Sequence, residues 1–192
     1  MTGAGGGADR SDRDDRAGRA VRPGTRVLLL GMMGSGKTSV GEEIAARTGW
    51  TYRDNDSLVA ELAGVPTADL LERDGVDALR EAESAALRRA VDDPGPLVAG
   101  VAGGVVETAA DVELLRRTDA LVVYLHTPLD VLVERVGDGG GRPFLQPDPA
   151  TALRRLYEGR EPVYREVADL VVDTSRGTPA DHATQVLAAL PA

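Results

Sequence analysis

Five short segments along the chain lack any helical period. Arg26 to Leu30 (RVLLL) is followed at once by glycines, Trp50 to Asp54 ends in acid, and Leu97 to Val101, Ala120 to Leu125 (ALVVYL) and Leu170 to Val172 are bounded by turn residues. Short apolar runs of this kind are expected of strands buried on both faces. Between them the period changes. From Lys37 to Thr48, Val40, Ile44 and Ala45 recur at helical spacing and Gly49 supplies a stop. Ser57 to Ala63, Thr67 to Arg73 and Asp77 to Val91 read as helices, punctuated by Gly64, Gly75 and Pro94-Gly95-Pro96, and a further helix carries Arg160 just before Pro162. Strands alternating with helices predict an α/β fold. It is a three-layer α/β/α arrangement on a five-stranded parallel sheet, with right-handed crossovers.

Two segments stand outside this alternation. Gly137 to Pro149 (GDGGGRPFLQPDP) is too irregular for a helix and sets glycines beside a lone Arg142. It reads as a mobile lid over about 136–149, with an inert surface loop as the other reading. Residues 1–22 hold almost no apolar side chain larger than Ala and read as a disordered tail. At roughly 150 residues per domain the remainder, 23–192, is one domain, with a helical insertion at about 55–91 after the second strand.

Composition narrows the chemistry. Lys plus Arg number 22 against 31 Asp plus Glu, a formal charge of −9, and aromatics make up 3%. Neither phosphate-backbone binding nor base stacking has the residues it needs, so no nucleic acid partner is expected. With no Cys there is no disulfide, no Cys-ligated metal and no thiol nucleophile. No apolar run approaches the ~20 residues that span a bilayer and the first residues lack a signal-peptide core, so the expectation is a cytoplasmic protein without a membrane partner. Of the 22 basic residues, 21 are Arg and one is Lys37, which suggests a task needing a compact ammonium rather than a planar fork.

That lysine lies in Gly31-Met-Met-Gly-Ser-Gly-Lys37-Thr38, which fits the phosphate-binding pattern G-x-x-x-x-G-K-[ST] with a strand before it and a helix after it. Backbone N–H groups from Gly34, Ser35 and Gly36 through Ser39 turn inward on phosphate oxygens, aided by the positive end of the helix. Lys37 reaches the β and γ phosphates of ATP, and Thr38 offers a hydroxyl to Mg²⁺. The motif alone leaves open a small-molecule kinase, a GTPase switch and an ATP-driven module. The single Lys and the single Asn, Asn55, cannot assemble the Asn-Lys-x-Asp element of guanine-specific switches, and 192 residues leave little room for a motor.

Asp54 and Asp56 follow the second strand, at the edge where open α/β sheets bind ligands. Alternation along an extended segment predicts that both carboxylates point the same way, one toward Mg²⁺ and the other toward the attacking hydroxyl. The competing reading is a helix cap by Asp56 at Ser57. Arg80, three residues before Glu83 on one helix face, Arg160 and Arg142 are candidates to converge on an anion. His126, at a strand end, and His182, expected on a polar helix face, attract no role.

Taken in order, the P-loop, Asp54-x-Asp56, Arg80 with Glu83, Ala102-Gly103-Gly104, Arg142-Pro-Phe-Leu and Arg160-x-Pro-x-Tyr164 resemble shikimate kinase, from about Thr25 to Leu190. The resemblance implies Mg²⁺-dependent transfer of the ATP γ-phosphate to the 3-hydroxyl of shikimate, a step toward chorismate and the aromatic amino acids. By the same resemblance Asp56 holds the attacking hydroxyl and works with Lys37 and Arg142 in catalysis, and Asp54 assists Thr38 at the metal. Arg80 and Arg160 clamp the shikimate carboxylate, Gly103 and Gly104 admit the ring, Arg142 moves in with the lid, and Arg135 and Arg176 flank adenine. A monomer is expected. Ala102, Leu79 and Leu71 depart from the family pattern and imply a flatter apolar wall. Two rivals stand beside this reading: a kinase for another polyhydroxy acid such as gluconate, and a catalytically weak ATP-binding regulatory homologue.

Overall fold

The segment RVLLL forms strand β1 (Arg26–Leu30), in which Val27, Leu28, Leu29 and Leu30 are wholly buried. The structure, a computed structural model, describes residues 24–137 and 148–190. After β1 come α1 (Lys37–Thr48), β2 (Thr51–Arg53), α2 (Asn55–Ala63), α3 (Thr67–Val91) and β3 (Leu97–Gly100). A 3₁₀ turn (Gly103–Glu107), α4 (Ala109–Arg117), β4 (Leu121–His126), α5 (Leu129–Val136), α6 (Pro149–Val167), β5 (Leu170–Asp173) and α7 (Pro179–Ala188) complete the described chain. The sheet order is β2-β3-β1-β4-β5 and every pairing is parallel.

The two faces of β1 divide the core. Val27 and Leu29 pack with Val40 and Ile44 of α1 and Ala183 and Val186 of α7. Leu28 and Leu30 turn the other way, into the cluster that holds Leu87 of α3, Leu115 of α4, Leu132 of α5 and Tyr164 of α6. Strands covered by helices on both sides have no solvated face to mark with polar residues, hence the unbroken apolar runs. Strand β1 lies between β3 and β4, with β2 and β3 laid down on one side of it and β4 and β5 on the other. The crevice at the carboxyl end of β1 is therefore the topological switch point where such sheets bind ligands.

All five expected strands form, with no end shifted by more than one residue. Helix α2 begins at Asn55, ahead of the expected Ser57, because Asp54 rather than Asp56 is its cap: Asp54 Oδ1 accepts the Asp56 N–H at 3.0 Å. Only Asp54 is extended, at φ −82° and ψ 146°, so strand-like alternation does not orient the two carboxylates. The helices expected over Thr67 to Arg73 and Asp77 to Val91 join as α3 across a break at Gly75. Asp148 caps α6 by accepting the Thr151 N–H at 3.2 Å, which places Pro149 in a helix rather than in a lid. The rest of the expected lid, 138–147 with Arg142, and the expected N-terminal tail lie outside the described residues. Among the described residues no helix is long and apolar enough to cross a membrane.

Candidate active site

The P-loop leaves β1 and returns as the first turn of α1. Gly31 has φ +145°, and a Cβ there would lie 2.6 Å from Ser35 Oγ and 2.8 Å from the Leu125 carbonyl oxygen, so only glycine lets the loop close against β4. The Lys37 ammonium donates to the Gly31 and Met32 carbonyls at 2.8 and 3.2 Å. Burial lowers its pKa to about 8; the charges of Asp54 and Asp56 oppose the shift and that of Arg160 adds to it. The ammonium thus shares one electrostatic neighbourhood with the acidic pair and a predicted substrate arginine.

Beside the loop lies a depression of about 250 Å³ lined by Gly34, Gly36, Ser39, Arg135, Thr174 and His182, among others. Arg135 donates to the Gly34 carbonyl at 3.2 Å and to the Thr174 carbonyl at 2.7 Å, stapling the loop after β5 onto the P-loop. Arg176 is exposed, and its side chain does not line this depression. What it contributes is a carbonyl, which accepts from His182 Nε2 at 2.8 Å. His182 is therefore buried, not on a polar face as its sequence neighbours suggested, because this carbonyl satisfies its ring N–H.

On the acidic side, the Asp54 carboxylate is held by three donors. Its Oδ2 accepts Tyr52 O–H at 3.0 Å and Thr38 O–H at 3.4 Å, and its Oδ1 accepts the N–H of Asp56. Tyr52 went unread in the sequence because an aromatic at a strand end is ordinarily packing. Burial raises its hydroxyl pKa, so it remains a protonated donor. Asp56, on the first turn of α2, leaves its carboxylate exposed. Among the described residues no group of three or more His, Cys, Asp or Glu is placed to hold a metal ion. Thr38 and Asp54 are oxygen donors suited to a hard cation that keeps its waters and phosphate oxygens, which fits Mg²⁺.

The arginines meet at a residue the sequence did not flag. Arg160 from α6 places Nε and Nη2 each 2.8 Å from Glu107 Oε1, and Arg80 from α3 places Nη2 3.2 Å from Glu107 Oε2. Arg80 Nη1 also donates to Glu83 Oε2 at 2.6 Å. Burial raises the Glu83 pKa, against the opposing pull of Arg80 and then Arg160. A side chain at Gly104 would collide with the Arg80 guanidinium, and a Cβ at Gly103 would lie 3.0 Å from Tyr164 Oη and 3.2 Å from Arg160 Nη1. The buried Tyr164 donates to the Gly103 carbonyl at 2.7 Å, so one stretch of α6 supplies both a guanidinium and the brace for the glycine turn. Leu79 and Ala102 are buried nearby and Leu71 packs against the same core cluster, which keeps this wall apolar.

A family model described as shikimate kinase matches residues 33–191. The shikimate kinase of Neisseria meningitidis serogroup C is 38% identical over 151 residues, spanning 78% of this chain and 88% of that protein. The solved structure of shikimate kinase from Acinetobacter baumannii in complex with shikimate has a TM-score of 0.78 at 32% identity, covering 85% of this chain and 90% of that one. A gluconokinase from Sinorhizobium meliloti is structurally less similar, with a TM-score of 0.60 at 25% identity over 88% of this chain and 93% of that one.

Proposed function

The chain belongs to the shikimate kinase family, and on that footing we propose how its residues divide the work of moving the ATP γ-phosphate to the 3-hydroxyl of shikimate. The observation that carries this reading is the meeting of Arg80 and Arg160 on one carboxylate, in the same charged cluster as the P-loop ammonium. Phosphoryl transfer asks little covalent chemistry of a protein; it needs positioning and charge compensation. Backbone N–H groups from Gly34 to Ser39 hold the phosphates, and Lys37 compensates charge on their terminal oxygens. Arg135 and Arg176 flank the adenine. Asp56 orients the attacking hydroxyl and accepts its proton. Arg80 and Arg160 bind the shikimate carboxylate, while Gly103 and Gly104 bring bare backbone to the ring.

Thr38 and Asp54 would hold Mg²⁺, which would neutralise charge developing on the phosphate oxygens. We extend the reading to the rest of the chain: residues 23–192 work as one kinase domain with the helices of 55–91 as its substrate side, acting as a monomer in the cytoplasm. ADP release measured over shikimate, gluconate and neutral cyclic polyols tests the whole. Turnover on shikimate at the highest kcat/KM is expected; a preference for gluconate, or ATP binding without turnover, overturns it.

Tyr52 offers a narrower test of the metal assignment. Tyr52→Phe removes the best-placed donor to Asp54 Oδ2 and leaves the carboxylate held only by the Asp56 N–H and the longer Thr38 contact. Loss of such an outer hydrogen bond weakens metal binding about tenfold. The Mg²⁺ concentration for half-maximal rate should rise by about that factor, while the rate at saturating Mg²⁺ stays near wild type. An unchanged Mg²⁺ dependence removes Asp54 from the metal site.

A further inference from the structure

Glu107, like Glu83, is an acid in the arginine cluster that the preceding roles leave without a task. Its carboxylate sits between the two guanidinium groups, with Oε1 on Arg160 and Oε2 on Arg80. A substrate carboxylate bound by the same two arginines needs the same donors. The charges there also balance: Arg80 and Arg160 face Glu83 and Glu107, two positive against two negative. An incoming anion meets net attraction only once one of the acids has withdrawn.

Glu107 is the partner built to withdraw. It ends a short 3₁₀ turn and its side chain is 42% exposed, whereas those of Arg160 and Glu83 are 7% and 11% exposed. The arginines stay in place and the glutamate swings into water, where its charge is solvated at little cost. We propose that Glu107 is a specificity-determining residue: an internal carboxylate that occupies the substrate's anion site and is displaced by a ligand carboxylate. A ligand that lacks the negative charge cannot compete for the guanidinium donors, so the residue screens neutral polyols from the site and raises the KM of the true substrate.

This inference rests on the reading that Arg80 and Arg160 bind the substrate carboxylate, and the test separates the two. Steady-state kinetics and calorimetric shikimate binding are measured on the full chain for wild type, Glu107→Gln, Glu107→Ala, Arg160→Ala and the Glu107→Gln/Arg160→Ala double variant, with thermal melts confirming that each folds. Both Glu107 variants should lower KM and Kd for shikimate by roughly fivefold, the scale of a partly exposed ion pair, with KM for ATP unmoved. The gain should largely vanish in the Arg160→Ala background, and simple carboxylates such as benzoate should inhibit the Glu107 variants more strongly than wild type. If Arg160→Ala raises KM but both Glu107 variants leave it unchanged or raise it, Glu107 merely braces the arginines and the proposal falls alone. If Arg160→Ala leaves shikimate KM unchanged, the arginine reading falls and takes the proposal with it.

Discussion

Lys37→Ala should lower kcat about a thousandfold while shikimate KM stays within about threefold of wild type, the loss expected when one preorganised charged donor is removed from a transition state. The ammonium rests on two P-loop carbonyls, and burial has drawn its pKa down to about 8. A charge kept out of bulk water acts across a low local dielectric, so its value to the transferring phosphoryl group exceeds that of a solvated lysine. No other lysine exists in the chain to substitute for it. Lys37→Arg should not restore the rate, because a planar fork does not fit where a point charge rests on the carbonyls of Gly31 and Met32. Steady-state kinetics decide the matter: a kcat within tenfold of wild type removes Lys37 from the transition state.

Arg160→Ala acts on the other half of the site. It should raise shikimate KM by roughly a hundredfold and change kcat far less, since on the proposed assignment it removes charge-assisted hydrogen bonds made to the bound substrate before and during reaction. The Arg160 side chain is 7% exposed and its Nε and Nη2 both reach one carboxylate oxygen of Glu107, so its donors are oriented before any ligand arrives. Calorimetry with shikimate alone should show the same loss of affinity, independent of turnover. A variant with normal KM and a collapsed kcat would instead place Arg160 on the phosphoryl group.

The parts readable from residue order alone share one property: their physics is local. RVLLL followed by glycines and a lysine specifies a buried strand, a phosphate loop and a helix start, because each depends on residues within one or two turns. The parallel sheet followed from strands and helices taking turns, and Arg80 and Arg160 were found through motifs set within single helices. Where local competition was close, as at Asp54 and Asp56, the balance between an extended segment and a helix cap went to the cap, at Asp54 rather than at Asp56.

Three-dimensional packing decided the remainder. Residues 80, 107 and 160 come from three separate elements, and nothing near Glu107 in the chain marks it, since its meaning comes from the guanidinium groups brought to it. Tyr52 and His182 lie only two and six residues from the carboxylate and the carbonyl they meet, yet each looks like packing or a solvated side chain until the turn of the chain sets the pair together. Pattern along the backbone determined which elements form and where phosphate is held. Which charges face one another was settled only when the helices closed over the sheet, because electrostatic partners are chosen by distance in space and not by separation in sequence.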